Sequence, residues 1–149
     1  MKTAKHINSV MLVGVLAITT IIGFGGAASA QEKHCTGNAG IDWDIQIRAC
    51  TVAIRSGRWQ GKDLVWAFIN RGLAYKNKGQ YDRAMQDYDQ AIRFNPKDAD
   101  SFVVRGNAYY DKKQYDQAIE DYDQAIKINP DYTLAIRKRK IAIVQKNNQ

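Results

Sequence analysis

Cysteine, histidine and proline are scarce in this chain, and their scarcity argues against several classes of protein. The 149 residues include two cysteines, two histidines and two prolines. The cysteines do not form a CxxC pair, which argues against a thioredoxin-like redox protein. Neither a glycine-rich phosphate-binding loop nor a serine hydrolase motif occurs. Because the sequence offers no nucleophile, acid–base pair or metal cluster, we predict a protein that is not an enzyme and needs no cofactor.

Two patterns resemble metal sites only in part. His34 beside Cys35 could form half of a site, but the other ligands are missing, so a surface histidine is the simpler interpretation. Asp87 with Asp89, and the same pair 34 residues later, suggest calcium ligands. Residues two apart on a helix point to different sides, however, and the glycine-containing loop of an EF-hand is absent. We therefore predict solvated helix faces at both aspartate pairs.

The longest apolar run lies at the N-terminus. A basic start at residues 1–5 precedes a largely apolar stretch at residues 10–24, and Ala-Ser-Ala follows at 28–30. This is the layout of a secretory signal peptide. We expect cleavage after Ala30 and a periplasmic or secreted protein with no remaining membrane span. The alternative is a retained anchor, because the apolar stretch approaches the roughly 20 residues that span a bilayer.

Both cysteines, Cys35 and Cys50, follow the predicted cleavage point. An even pair in an oxidising compartment is most simply one disulfide. A bridge that closes a loop of this size stabilises a domain by about 3 kcal/mol in the chain-entropy model. The alternative is two free buried thiols, and we predict the disulfide.

The net charge of +7 is unevenly distributed. Residues 31–131 contain equal numbers of acidic and basic side chains. The segment after Asp131 has no acidic residue and five basic ones, which are Arg137, Lys138, Arg139, Lys140 and Lys146. We interpret this segment as a hydrated terminal helix. The alternative is contact with an anionic lipid, a cell-wall polymer or nucleic acid, and export argues against nucleic acid.

A period of 34 residues dominates the second half of the chain. The matching pairs are Gly72 with Gly106, Tyr75 with Tyr109, Tyr81 with Tyr115, Tyr88 with Tyr122, and Pro96 with Pro130. Within each copy the apolar residues recur every three or four positions, which indicates two helices. Proline ends the second helix, because it disfavours the helical conformation of the residue before it.

This pattern resembles the tetratricopeptide repeat, and the resemblance covers residues 65–132. It implies an all-α, right-handed solenoid of helix-turn-helix units. Besides the signal peptide at residues 1–30, we predict full repeats at 65–98 and 99–132, a disulfide-tied partial repeat at 31–64, and a C-terminal capping helix at 133–149. Alignment of Trp43-Asp44 with Tyr81-Asp82 predicts a helix over residues 42–55, equivalent to the second helix of a repeat.

The resemblance also implies a peptide-binding groove lined by the first helix of each repeat. The family's ligand-facing positions correspond to Trp66, Ile69, Leu73, Lys76 and Asn77, then to Asp100, Val103, Asn107, Tyr110 and Asp111, and in the last helix to Leu134, Arg137, Ile141 and Val144. Such a groove suits an extended or helical peptide. For Trp66, Leu73 and Ile141, packing between helices is an equally good interpretation.

Two functions are therefore compatible with the sequence. The first is a periplasmic scaffold or adaptor that holds a protein or peptide in the groove. The second is a structural protein that self-associates, or attaches to an anionic envelope surface, through residues 133–146. Family members that clamp the C-terminal carboxylate of a chaperone use lysine and asparagine where this chain has Ile69 and Leu73, which argues against that partner.

Overall fold

Six α-helices account for most of the residues that the structure describes. The structure is a computed structural model, and it describes residues 34–36, 40 and 42–148. The helices are α1 (Trp43–Arg55), α2 (Val65–Asn77), α3 (Tyr81–Phe94), α4 (Ala99–Asp111), α5 (Tyr115–Ile128) and α6 (Thr133–Asn147). A 3-10 turn, Gly61–Leu64, precedes α2, and no strand occurs in these ranges. The all-α prediction is confirmed, and the predicted signal peptide lies outside the described residues.

The helices pack as hairpins that stack side by side. α2 packs on α3 and α4 packs on α5, while α1 and α6 pack at the two ends of this array. The first helices α2, α4 and α6 also contact one another, whereas neighbouring second helices lie farther apart. The array therefore bends toward its first helices, which places those helices on the inner side.

In each repeat a tyrosine ring fills the space beside a glycine. A Cβ added to Gly72 would lie 2.5 Å from Cε1 of Tyr88, and one added to Gly106 would lie 2.8 Å from Cε1 of Tyr122. Both tyrosines are completely buried. Glycine in a helix interior costs about 1 kcal/mol relative to alanine. Here it is required, because any side chain would push the two helices of the hairpin apart.

Two arginines bind aspartates that the sequence had suggested were solvated. Nε and Nη2 of Arg71 donate to the two carboxylate oxygens of Asp87 at 2.8 and 2.7 Å. Arg105 binds Asp121 in the same way, at 2.9 and 2.7 Å. Both aspartates are only 4% exposed. The prediction of solvated faces is wrong for these two residues, because a bidentate guanidinium satisfies a carboxylate that leaves water.

The same arginines also reach the preceding unit. Nη1 of Arg105 donates to Asp89 on α3 at 2.7 Å, and Nη1 of Arg71 donates to Thr51 on α1 at 3.1 Å. The hydrogen bonds to Asp121 raise the pKa of the Arg105 guanidinium above its usual range, so its charge persists. Each arginine therefore ties three helices together.

Three surface ion pairs repeat one arrangement along the array. They join Lys78 to Asp44 at 2.5 Å, Lys112 to Asp82 at 3.0 Å, and Lys146 to Asp116 at 2.5 Å. Each lysine lies at the end of a first helix, and each aspartate lies in the first turn of the preceding second helix. Exposed ion pairs contribute little to stability, because water and salt screen them. Their recurrence nevertheless shows that α1 occupies the place of a second helix.

The disulfide covers the N-terminal end of the array. Cys35 is bonded to Cys50, with Cα atoms 4.7 Å apart, and both side chains are buried. The predicted disulfide is confirmed. Cys50 stands in α1 where Tyr88 stands in α3, and the bridge packs against Ala53 and Ala67. It thus replaces part of the apolar surface that a first helix would supply.

We expect Gly72→Ala to destabilise the protein, although alanine favours helix formation. The added Cβ would overlap the buried ring of Tyr88, and overpacking of this kind costs about 1–3 kcal/mol. Urea unfolding followed by circular dichroism measures the loss. Lys140→Ala is the matched control, because Lys140 occupies the same position in α6 and is exposed. A Gly72→Ala protein more stable than the wild type would contradict this account.

Candidate functional site

A depression beside the N-terminal ends of α2 and α4 brings together three of the predicted groove residues. Trp66, Ile69 and Asp100 line this depression, which has a volume of about 440 Å³. Trp66 and Ile69 are half-buried, and Asp100 is exposed. The stacking of the first helices places these residues on one surface, although they belong to different repeats. We call this depression the tryptophan pocket.

Other residues of the tryptophan pocket could not be anticipated from the repeat. Trp59 precedes the 3-10 turn, and its ring meets that of Trp66 edge-on with centroids 6.0 Å apart. Asp63 in the turn and Asp98 at the start of α4 also line the pocket. Asp98 is the N-cap of α4, where its Oδ2 accepts a hydrogen bond from the Ser101 amide at 2.9 Å. An N-cap aspartate is a recognisable sequence signal, but its position beside Trp66 is not.

The tryptophan pocket combines aromatic rings with negative charge. Three aspartates line it against one lysine, Lys62. Asp100 also accepts a hydrogen bond from the Tyr132 hydroxyl, and burial, together with this carboxylate, raises the pKa of Tyr132 to about 12. Indole faces attract cations, and carboxylates add a favourable potential. The pocket is therefore suited to a cationic group such as the side chain of lysine or arginine.

The C-terminal ends of α2 and α4 are joined by an ion pair between two predicted groove residues. Nζ of Lys76 lies 2.9 Å from Oδ2 of Asp111. Near them, Leu73 is half-buried and Asn77 is exposed. Because Lys76 and Asp111 already pair with each other, a ligand that used either charge would have to compete with the other.

Three further predicted groove residues of α4 are engaged within the protein. Oδ1 of Asn107 accepts a hydrogen bond from the Tyr122 hydroxyl at 2.9 Å. The ring of Tyr110 packs on that of Tyr115 with centroids 5.3 Å apart. Val103 is only 3% exposed. As a correction to the sequence prediction, Val103 belongs to the core and offers no surface to a ligand.

The predicted groove residues of α6 lie apart from the tryptophan pocket. Arg137 and Ile141 are exposed and do not line it. Ile141 instead lines a shallow depression with Lys140, Val144 and Gln145. Leu134 is half-buried and packs against the core between α4 and α5. Of the predicted groove residues, the tryptophan pocket thus contains only Trp66, Ile69 and Asp100.

Within residues 34–36, 40 and 42–148, no group of three or more histidine, cysteine or acidic side chains is arranged to hold a metal ion. In the same ranges, no helix has the length and hydropathy of a transmembrane span.

The comparison with protein families decides the identity of the repeats. The tetratricopeptide repeat model matches residues 65–98 and 99–132. The chain is a tetratricopeptide repeat protein. In this tetratricopeptide repeat protein, α2 with α3 and α4 with α5 are the matched hairpins. The comparison with curated proteins gives no match.

Solved structures of other tetratricopeptide repeat domains share this fold. The Arabidopsis OM64 domain superposes with a TM-score of 0.66 at 21% identity, covering 78% of this chain and 93% of that one. The first such domain of Spaghetti (RPAP3), bound to the HSP90 peptide SRMEEVD, gives 0.63 at 19% identity, with 72% and 81% covered. The Sgt2 domain from Aspergillus fumigatus gives 0.62 at 22% identity, with 83% and 76% covered.

We expect Tyr122→Phe and Tyr88→Phe to have different effects on stability. The Tyr122 hydroxyl donates a hydrogen bond to Asn107. The equivalent hydroxyl of Tyr88 is buried and has no hydrogen-bond partner among the described residues. Loss of the Tyr122 hydrogen bond should destabilise by about 1 kcal/mol, and removal of an unsatisfied hydroxyl should be neutral or stabilising. Urea unfolding of both variants measures the difference. Equal losses would contradict it.

Proposed function

We propose that this tetratricopeptide repeat protein is a scaffold or adaptor that binds a peptide segment of another protein on the inner side of its helical array. The observation that carries the proposal is the tryptophan pocket. It lies on the inner helices, combines Trp59 and Trp66 with three carboxylates, and is open to solvent. The peptide-bound structure of Spaghetti supports it as an example of the fold in this role.

The chemistry of the pocket distinguishes its ligand from the acidic peptide of the Spaghetti complex. The peptide SRMEEVD carries two glutamates and an aspartate, which Asp63, Asp98 and Asp100 would repel. A lysine or arginine side chain could instead lie against the indole ring of Trp59 and form ion pairs with the carboxylates. We therefore propose that the ligand is an extended peptide with at least one basic residue. It would run along the inner helices from the tryptophan pocket toward the Lys76–Asp111 ion pair.

The binding test uses a peptide array that varies one central residue. Wild-type protein should retain peptides with central arginine or lysine in preference to those with glutamine or glutamate. Trp59→Ala and Asp63→Asn should weaken this binding by about threefold to thirtyfold, which corresponds to the loss of a partly desolvated cation–π or ionic contact. Trp59 is 36% exposed and Asp63 is exposed, so neither substitution should unfold the protein.

Two matched variants control this experiment. Trp43→Ala removes another exposed tryptophan, at the start of α1, and Asp131→Asn removes another exposed carboxylate. Neither residue lines the tryptophan pocket, so both variants should bind as the wild type does. Equal retention of basic and acidic peptides, or equal weakening by the control variants, would overturn the proposal.

We further propose that the protein acts in the periplasm or outside the cell. The support is the signal-like sequence of residues 1–30 and the disulfide, which persists in oxidising compartments. Self-association and envelope attachment through residues 133–146 remain predictions.

Export is tested by expressing the full-length chain in a bacterium and fractionating the cells. The intact mass of the periplasmic protein should correspond to a chain that begins at Gln31 with one disulfide. Ala30→Phe should block cleavage, because signal peptidase accepts small residues at that position. Wild-type protein that keeps residues 1–30 and stays in the membrane fraction would instead establish the anchor.

A further inference from the structure

Among the described residues, no second helix covers the positions of α6 that correspond to the face of α4 packed on α5. In α4, Tyr122 packs on Gly106 and binds Asn107, while Val103 packs with Ala125 and Tyr110 with Tyr115. All of these covering residues belong to α5. The positions of α6 that are 34 residues later are Arg137, Lys140, Ile141 and Val144.

These four residues form one exposed stripe, which we call the open face. Lys140 and Ile141 follow Arg137 by three and four positions, and Val144 follows them by four and three, so the four residues lie on one side of the helix. All four are exposed, and Ile141 and Val144 are 41% and 55% exposed. The open face therefore presents two basic side chains followed by two apolar ones where a repeat would place its second helix.

Arg139 indicates what should cover the open face. Arg105 binds two carboxylates, those of Asp121 from its own second helix and Asp89 from the preceding one. Arg139 occupies the same position in α6, and its Nε lies 2.5 Å from Oδ1 of Asp123. Asp123 is the equivalent of Asp89. Within the part of the chain that the structure describes, no carboxylate takes the place of Asp121 beside Arg139.

We propose that the open face binds an acidic amphipathic helix of a partner protein, which lies where the second helix of a repeat would lie and supplies an aspartate or glutamate to Arg139. The charge of α6 supports this choice, since residues 132–149 contain basic side chains but no acidic one. A small residue of the partner should lie over Lys140, because that side chain takes the space that glycine leaves for a tyrosine.

A second copy of the chain fits the open face less well. Of the helices that occupy the place of a second helix, α1 lies at the end of the array. It has Ala49 where α3 has Asp87, so it offers no carboxylate there, and its Cys50 is covered by Cys35. Two α6 helices packed face to face would bring together only positive charge. Charge complementarity therefore favours a different, acidic helix.

The test titrates the full-length chain with a synthetic peptide and follows α6 by NMR. The peptide has the sequence of α5, Tyr115–Ile128, with Tyr122→Ala to make room for Lys140. It should shift the amide signals of the open face and the Nε–H signal of Arg139, and binding should weaken as salt rises. A matched peptide that also carries Asp121→Asn should bind about tenfold more weakly, as expected for loss of a charged hydrogen bond.

Protein variants complete the test. Arg139→Gln should weaken binding of the aspartate peptide by about tenfold and abolish its advantage over the asparagine peptide. Ile141→Asp should prevent binding, because it places a negative charge on the open face. Lys127→Gln, which removes an exposed positive charge from α5, is the charge-matched control and should leave the affinity unchanged.

Three results would overturn the proposal. One is the absence of shifts at the open face at millimolar peptide. Another is equal binding by the Arg139→Gln and Lys127→Gln proteins. The third is a dimer of the chain, seen by analytical ultracentrifugation, that Ile141→Asp dissociates, since a second copy would then be the occupant.

Discussion

The close approach of two helices at a glycine is the constraint on which the rest of this structure depends. Tyr88 and Tyr122 can be fully buried only because the facing helix has no side chain at Gly72 and Gly106. This contact fixes the spacing within each hairpin, and the arginines then bridge hairpins already at the right distance. The buried carboxylate of Asp121 is tolerable for that reason, since its bidentate partner is held in place by the same packing.

The sequence predicted the helices and their order because glycine, tyrosine and proline recur at fixed spacing. It did not predict the state of the charged residues. Arg71 and Arg105 follow the same period as Gly72 and Gly106, but a repeat of charged residues is typical of a solvated face. Their partial burial depends on buried aspartates 16 residues later. Val103 was predicted to face the groove but is buried, because small neighbours such as Ala125 and Ala135 leave room for it in the core.

The candidate site was predictable only where it follows the repeat. Trp66, Ile69 and Asp100 were identified from family positions, and the structure brings them to one depression. Trp59 and Asp63 come from the segment between α1 and α2, which has no helical period and no counterpart in the second repeat. Irregular segments often carry binding residues on a regular scaffold. Proteins with the same fold can therefore bind different ligands through a few side chains, as the aspartates of the tryptophan pocket illustrate.

The ladder of lysine–aspartate pairs has a consequence for how such a chain can change in length. Each pair joins the end of one unit's first helix to the start of the second helix before it. This ion pair is therefore the same at each of the three junctions, and the lysine of one unit could pair with the aspartate of another. Duplication of one unit in the gene would add a helical hairpin whose lysine and aspartate already match those of its neighbours. The array could therefore become longer or shorter without a new ion pair at the junction.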